Sequence, residues 1–276
     1  MMADIENLLK THNLSPNKSL GQSFLNDENI VHKFIKSANI SKEDIVLEIG
    51  PGLGVFTKIL CEKAKKVVAI EKDKILFDFL VKEFYDIKNK VFLNKDVLCL
   101  ELKTLGDLSG KVKLVSNVPF SITSDFLYWF LNNRDYIERS LIILQKEVVD
   151  KINAKVGSKL YGAISVFFQY YMEIVPLFKI SGRAFFPATK VVAEVVSITP
   201  KKIMSTETIS IVNEKKFFNM VKAVFSHRRK QLKNSLSLKV DKLGSIDLNR
   251  RPETLDYKEF LELMSNLEKR QDNKKE

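Results

Sequence analysis

The stretch Glu48-Ile49-Gly50-Pro51-Gly52-Leu53-Gly54 decides the fold. An apolar run at 45–49 leads into it and an amphipathic stretch at 54–63 leaves it, so its glycines occupy a turn from strand to helix. A doubly wound α/β sheet receives nucleotide-like ligands at such a turn. Glycine there lets ligand atoms approach the backbone closely and leaves amide donors free. Spacing excludes the dinucleotide fingerprint Gly-x-Gly-x-x-Gly: counted from Gly50 the last position is Val55, and counted from Gly52 it is Thr57.

Outward from this turn, apolar runs at 45–49, 67–71, 91–95, 112–116 and 141–145 predict five parallel strands. Helices are predicted at 27–39, 54–63, 73–86, 122–132 and 146–153. Residues 163–180 read as a helix running into a strand, and 191–198 as a further strand pairing with it, an antiparallel addition at one sheet edge. Beyond Pro200, Phe217, Val221, Val224, Phe225, Leu232 and Leu236 recur as one helix face, and Leu255, Phe260, Leu261, Met264 and Leu267 repeat the pattern. The expected architecture is α/β, with a first domain over 1–203 and a small all-α domain over 204–276. Phe126, Tyr128, Trp129 and Phe130, like Phe167, Phe168, Tyr170 and Tyr171, read as core packing.

Composition narrows the function classes. The chain has 276 residues, 45% of them apolar and 29% charged, a balance that supports a buried core. Two cysteines, Cys61 and Cys99, are too few for a disulfide framework or a four-ligand zinc site, so no metal is expected. The N-terminus is acidic and polar, and no uncharged apolar run reaches about 18 residues. A cytoplasmic protein without a membrane partner is the expectation. Net charge is +11, and all of it lies in the second part: residues 1–150 carry 21 basic and 21 acidic side chains, residues 151–276 carry 24 and 13. That asymmetry predicts a polyanionic partner, nucleic acid, on one side of the molecule. Arg228, Arg229 and Lys230, read on a helix beside its apolar face, are the candidate phosphate contacts.

The pattern acid-x-Gly-x-Gly-x-Gly resembles motif I of class I methyltransferases that use S-adenosylmethionine. Two strand ends fit that chemistry. Glu71, 19 residues after Gly52, stands where a carboxylate accepts ribose hydroxyls, and Asp96, with apolar Val97 beside it, where an adenine amino group would donate. The fourth strand ends in Ser116-Asn117-Val118-Pro119-Phe120. A nucleobase amine is a poor nucleophile because its lone pair is delocalised into the ring. The Asn117 carbonyl and a backbone carbonyl at or before Pro119 would hold such an amine in line with a methyl donor, while Phe120 stacks on the extruded base.

With Lys18-Ser19-Leu20-Gly21-Gln22-Ser23-Phe24-Leu25, Gln145-Lys146-Glu147-Val148, Ser158-Lys159-Leu160-Tyr161-Gly162, Phe186-Pro187, Phe225-Ser226-His227-Arg228-Arg229-Lys230 and Arg250-Arg251-Pro252-Glu253 in order, the chain resembles the rRNA adenine N6-dimethyltransferases of the KsgA type over about residues 14–262. The resemblance implies a Rossmann-like methyltransferase domain with a small helical C-terminal domain. It also implies S-adenosyl-L-methionine as cofactor, and dimethylation of two adjacent adenosines in the hairpin near the 3′ end of small-subunit rRNA, on the immature subunit. By it Ser23, Leu25, Gly50, Glu71, Asp96 and Asn117 line the cofactor site, with Asn117 also facing the target amine; a monomer is expected. Ser23, Val118 and Phe120 stand where relatives commonly carry Asn, Leu and Tyr, and Thr189 and Ala193 where many carry Pro and Ser. A large-subunit rRNA target, and a role as a subunit-assembly checkpoint, remain the alternatives at this point.

Overall fold

The five predicted parallel strands form the centre of a seven-stranded sheet in the computed structural model, which describes residues 5–106, 110–202 and 214–272. Its strands are β2 (Ile45–Ile49), β3 (Lys66–Glu71), β4 (Lys90–Asn94), β5 (Val112–Asn117), β6 (Ile137–Gln145), β7 (Met172–Ile180) and β9 (Ala193–Pro200); β1 (Phe24–Leu25) and β8 (Phe185–Phe186) make a separate pair. The sheet order is β4-β3-β2-β5-β6-β9-β7, with β9 antiparallel to β6. The chain runs from β2 outward to β4, then returns to place β5 on the other side of β2. That reversal opens a crevice at the carboxyl ends of β2 and β5, where doubly wound sheets bind ligands.

Helices α1 (Ile5–Thr11), α2 (Glu28–Ala38), α3 (Val55–Lys63), α4 (Lys74–Glu83) and α5 (Thr123–Asn133) cover this sheet. Asp27 starts α2 by accepting the Ile30 N–H, and Asp73 starts α4 by accepting from Ile75 and Leu76, as N-cap carboxylates do. One core layer stacks Phe34 of α2 on Phe56 of α3, ring centroids 4.5 Å apart, against Val46, Val67, Val115 and Ile143 of the strands. Complete burial of a Phe of this kind is worth about 1.5–3 kcal/mol. A second apolar cluster joins Ile5 and Leu9 of α1 to Phe24, Leu53, Leu76 and Phe79, which seats the N-terminal segment beside the glycine turn.

The chain divides into Met1–Val149 with Ile174–Pro200, and Asp150–Glu173 with Lys201–Glu276. This differs from the expected single boundary, and residue 203 itself lies outside the described residues. The reason is α7 (Ala163–Tyr171), whose side chains are apolar almost all round and which packs on α8 (Glu214–Ser226), with Phe167 and Phe218 centroids 4.2 Å apart, and on α10 (Tyr257–Asp272). Among the described residues the second unit is mainly helical, with the first two residues of β7 and a hairpin of two-residue strands, β10 (Lys242–Leu243) with β11 (Ile246–Asp247). The long helix face expected from Phe217 to Leu236 is broken after Ser226. The backbone of Leu232 and Lys233 bonds to the carbonyls of Arg250 and Leu248, drawing the chain out of the helix before α9 (Leu232–Ser235).

Candidate active site

A cavity of about 330 Å³ opens at the carboxyl ends of β2, β3, β4 and β5. All of Ser23, Leu25, Gly50, Gly52, Glu71, Asp96, Val97, Asn117, Pro119 and Phe120 line it, so the residues predicted separately at four strand ends and in the N-terminal segment meet in one place.

The glycine turn forms its floor. Gly50 has φ +67°, which favours glycine, and a Cβ there would stand in ordinary contact with Asn117 and Pro119 at 3.8 Å. Gly52 has φ +59°, and a Cβ would stand 2.9 Å from the Phe24 ring, so this position admits only glycine without displacement of the roof.

Glu71 is 6% exposed, and both of its carboxylate oxygens are held by backbone amides: Gly52 N–H donates to Oε2 at 3.1 Å and Asp73 N–H to Oε1 at 2.9 Å. Burial nevertheless outweighs these bonds and pushes its carboxyl up to about 7. Beneath it Glu48, 1% exposed on β2, accepts the Thr57 hydroxyl at 2.7 Å on Oε2, while Oε1 has no partner. Burial, with Glu71 adding repulsion, pushes Glu48 up to about 8, so its neutral form predominates at pH 7.

Asp96 has a different environment. Burial raises its carboxyl, but the Lys72 ammonium at 2.8 Å and the Leu98 N–H at 3.0 Å outweigh that and hold it below the usual carboxylate range. Lys72 was not singled out in the sequence. Its partner lies on the next strand end, and nothing in the spacing of 72 and 96 signals that the two side chains meet.

Asn117 ends β5 with its side-chain Nδ2 donating to the Ser23 carbonyl at 3.1 Å, which turns Oδ1 away from that segment. The Pro119 carbonyl, a predicted acceptor, is already taken: Ile122 N–H donates to it at 3.1 Å and the Thr123 hydroxyl at 3.4 Å. The turn over Phe120–Ile122 consumes it, which leaves the Asn117 side chain and the carbonyl before Pro119, that of Val118, as the acceptors read from the sequence. Over the cavity, Leu20 to Leu25 form a roof. Ser121 Oγ donates to the Leu20 carbonyl at 3.0 Å, and Gln22 Nε2 to Asp73 at 2.8 Å. Gln22 thereby ties the roof to the turn that holds Glu71, a role its place in the quoted Lys18–Leu25 segment signalled without specifying.

In the second unit, Arg228 corrects the reading of a basic helix face. Residues 227–230 form a turn after α8. The Arg228 guanidinium is spent on the carbonyls of Lys159, at 2.6 Å, and Ser158, at 2.8 Å, with Glu253 3.8 Å away. Arg229 and Lys230 are exposed. Among the described residues no helix is long and apolar enough to cross a membrane.

Comparison with known proteins agrees with this geometry. The family described as ribosomal RNA adenine dimethylase matches residues 13–269. The chain is similar to the ribosomal RNA small subunit methyltransferase A of Clostridium botulinum (strain Loch Maree / Type A3), 39% identical over 253 residues, which are 88% of this chain and 91% of that one. It is 38% identical over 267 residues to the protein of the same name from Alkaliphilus oremlandii, covering 92% of each chain. Its fold is similar to a dimethyladenosine transferase from Plasmodium falciparum (TM-score 0.74, 22% identity, 89% and 98% of the chains) and to the 23S rRNA methyltransferase ErmE (TM-score 0.66, 21% identity, 89% and 99%). With the motif order, the strand-end cavity and this match over nearly its whole length, the chain belongs to the ribosomal RNA adenine dimethylase family.

Proposed function

We propose that this protein is an enzyme that dimethylates N6 of two adjacent adenosines in the 3′-end hairpin of small-subunit rRNA, using S-adenosyl-L-methionine and contributing to subunit biogenesis as a cytoplasmic monomer. The observation that carries the reading is the pairing, in one cavity, of a buried carboxylate pinned by the glycine-turn amide with an oriented Asn117 at the neighbouring strand end.

The residues present fit the adenosyl cofactor: a glycine turn at Gly50 and Gly52 lining the cavity, a carboxylate at Glu71 for ribose hydroxyls, an ionised acceptor at Asp96 for a purine amine, and apolar Leu25 and Val97. The cofactor supplies a methyl group activated on a sulfonium. Asn117 Oδ1 accepts one N6 hydrogen of the target adenine and holds the nitrogen in line, with Phe120 stacking on the base. The nitrogen loses one proton to solvent for each methyl gained. The monomethyl amine still has one hydrogen for Asn117 to hold, so the same acceptor serves both transfers and none remains for a third. Arg229 and Lys230 are free to meet phosphates, whereas Arg228 braces the turn that presents them. Target choice then rests on RNA shape and an accessible loop rather than on charge.

The test is incubation of the purified protein with labelled S-adenosylmethionine and, in parallel, small and large subunits from a strain lacking the modification, followed by mass mapping. Dimethyladenosine at two adjacent 3′-hairpin adenines is expected; label confined to large-subunit RNA, or no label, overturns the assignment.

A further inference from the structure

Ser23 holds the position where relatives commonly carry Asn, and in this chain its hydroxyl turns to a neighbour within the protein. Ser23 Oγ donates its one hydrogen to the Pro187 carbonyl at 3.0 Å. Towards a bound ligand it therefore offers lone pairs alone. The same residue's carbonyl is the acceptor that fixes the Asn117 amide.

An amide held by one N–H has its oxygen direction set by that bond, and the bond is only as firm as the carbonyl that receives it. Three connections hold the Ser23 carbonyl. Phe24 and Leu25 pair antiparallel with Phe186 and Phe185, Asn26 N–H donates to the Ala184 carbonyl at 2.7 Å, and the Ser23 hydroxyl closes the series at Pro187. The 184–187 segment is itself anchored, with Thr189 N–H on the Gly182 carbonyl at 3.0 Å and Lys146 N–H on the Val192 carbonyl at 2.9 Å. A continuous set of bonds thus runs from the 182–192 loop through Ser23 to Asn117.

We propose that Ser23 is a positioning residue for methyl transfer, whose hydroxyl secures the roof strand so that Asn117 Oδ1 faces the target amine, and that it is not a cofactor ligand. The inference rests on the methyltransferase reading of this cavity. Its chemistry is conformational: Ser23→Ala removes the Pro187 bond, lets the Ser23 carbonyl wander, and spreads the directions open to Asn117 Oδ1.

The experiment uses the full chain, undermodified small subunits and S-adenosylmethionine for turnover, with S-adenosylhomocysteine for calorimetric binding. Ser23→Ala is expected to lower kcat by roughly three- to tenfold, the effect of one lost hydrogen bond, while Kd for S-adenosylhomocysteine stays within about twofold. Ser23→Thr, which keeps the hydroxyl, restores kcat. A raised Kd with kcat unchanged makes the hydroxyl a cofactor ligand and overturns the proposal, as does a Ser23→Ala enzyme unchanged in both constants. Equal loss in Ser23→Thr and Ser23→Ala also overturns it. Wild-type protein that binds S-adenosylhomocysteine yet methylates no RNA fails the functional reading itself, a result separate from any of these.

Discussion

Glu71 makes affinity for the cofactor depend on pH in a direction that the structure sets. Its ordinary value is 4.5, and burial pushes it up to about 7. Ionisation in the folded, ligand-free protein therefore costs stability: the contribution of this group is fully present below pH 4.5 and is lost as pH rises through about 7. Ribose hydroxyls donate to a carboxylate, so the ionised form binds. With a value of about 7, the binding-competent fraction is about 0.1 at pH 6 and about 0.9 at pH 8, and apparent Kd scales as the inverse of that fraction. Affinity for S-adenosylhomocysteine, whose sulfur is uncharged, should rise about tenfold over this range, and binding at pH 6 should release close to one proton, read by calorimetry in buffers of different ionisation heat. Glu71→Gln removes the dependence. It also weakens binding by about 1.5–3 kcal/mol, the range for bonds to a charged group, and sets its NH₂ against the N–H of either Gly52 or Asp73, both of which now point at carboxylate oxygens. Glu48 titrates in an overlapping window, so the profile is measured in Glu48→Gln as well, where it should persist. Flat wild-type affinity from pH 6 to 8, with no proton release, refutes the reasoning.

Asn117→Ala should cut turnover on small subunits at least about a hundredfold, the scale of losing an oriented polar group at the reacting atoms, while S-adenosylhomocysteine binding falls far less; equal losses in both would remove Asn117 from the chemistry. Glu48→Gln cannot ionise in either state, so its thermal midpoint should exceed the wild type's by an amount that grows from about pH 4.5 to about pH 8 and then levels off, because burial raises Glu48 from 4.5 to about 8 and the fold loses that group's contribution across this window. Arg228→Ala should destabilise the protein in urea by about 1–3 kcal/mol by stripping the bonds to Ser158 and Lys159. The double substitution Arg229→Ala with Lys230→Ala should leave that stability unchanged and lower the slope of log RNA affinity against log salt by about 1 to 2.

Much of the fold was legible because its elements are long enough to show a period. The strand predicted at 45–49 is β2, and the helix-into-strand reading of 163–180 resolves into α7 and β7. Where no period exists, reading failed. β1 and β8 are two residues each, too short to alternate, and their pairing depends on chain segments about 160 residues apart, at Phe24 and Phe186. The membership of α7 in the second unit was hidden for the opposite reason, since a helix apolar on nearly every side does not announce which neighbour it packs against. Arg228 shows how a charge run misleads: three consecutive basic residues look alike in sequence, yet one of them turns inward because the carbonyls of Ser158 and Lys159 lie within its reach.

The two strand-end carboxylates carry that lesson into the site. Both Glu71 and Asp96 read as an acid following a strand, and both line the cavity. Their electrostatics diverge because of neighbours that sequence order does not reveal. Asp96 has a side chain 27% exposed and faces the Lys72 ammonium, which keeps it charged across the physiological range as a constant acceptor. Glu71 is buried and is met by neutral amide donors and by the acidic Asp73, with no cation among the causes that set its ionisation, so it holds its proton until the solution approaches pH 7. Under the proposed assignment, ribose hydroxyls would supply donors where the protein supplies no cation, so the ligand itself would drive the ionisation that its binding requires. Recognition of the purine ring at Asp96 should then be insensitive to pH while recognition of the ribose is not, and the pH profile of cofactor binding should follow Glu71.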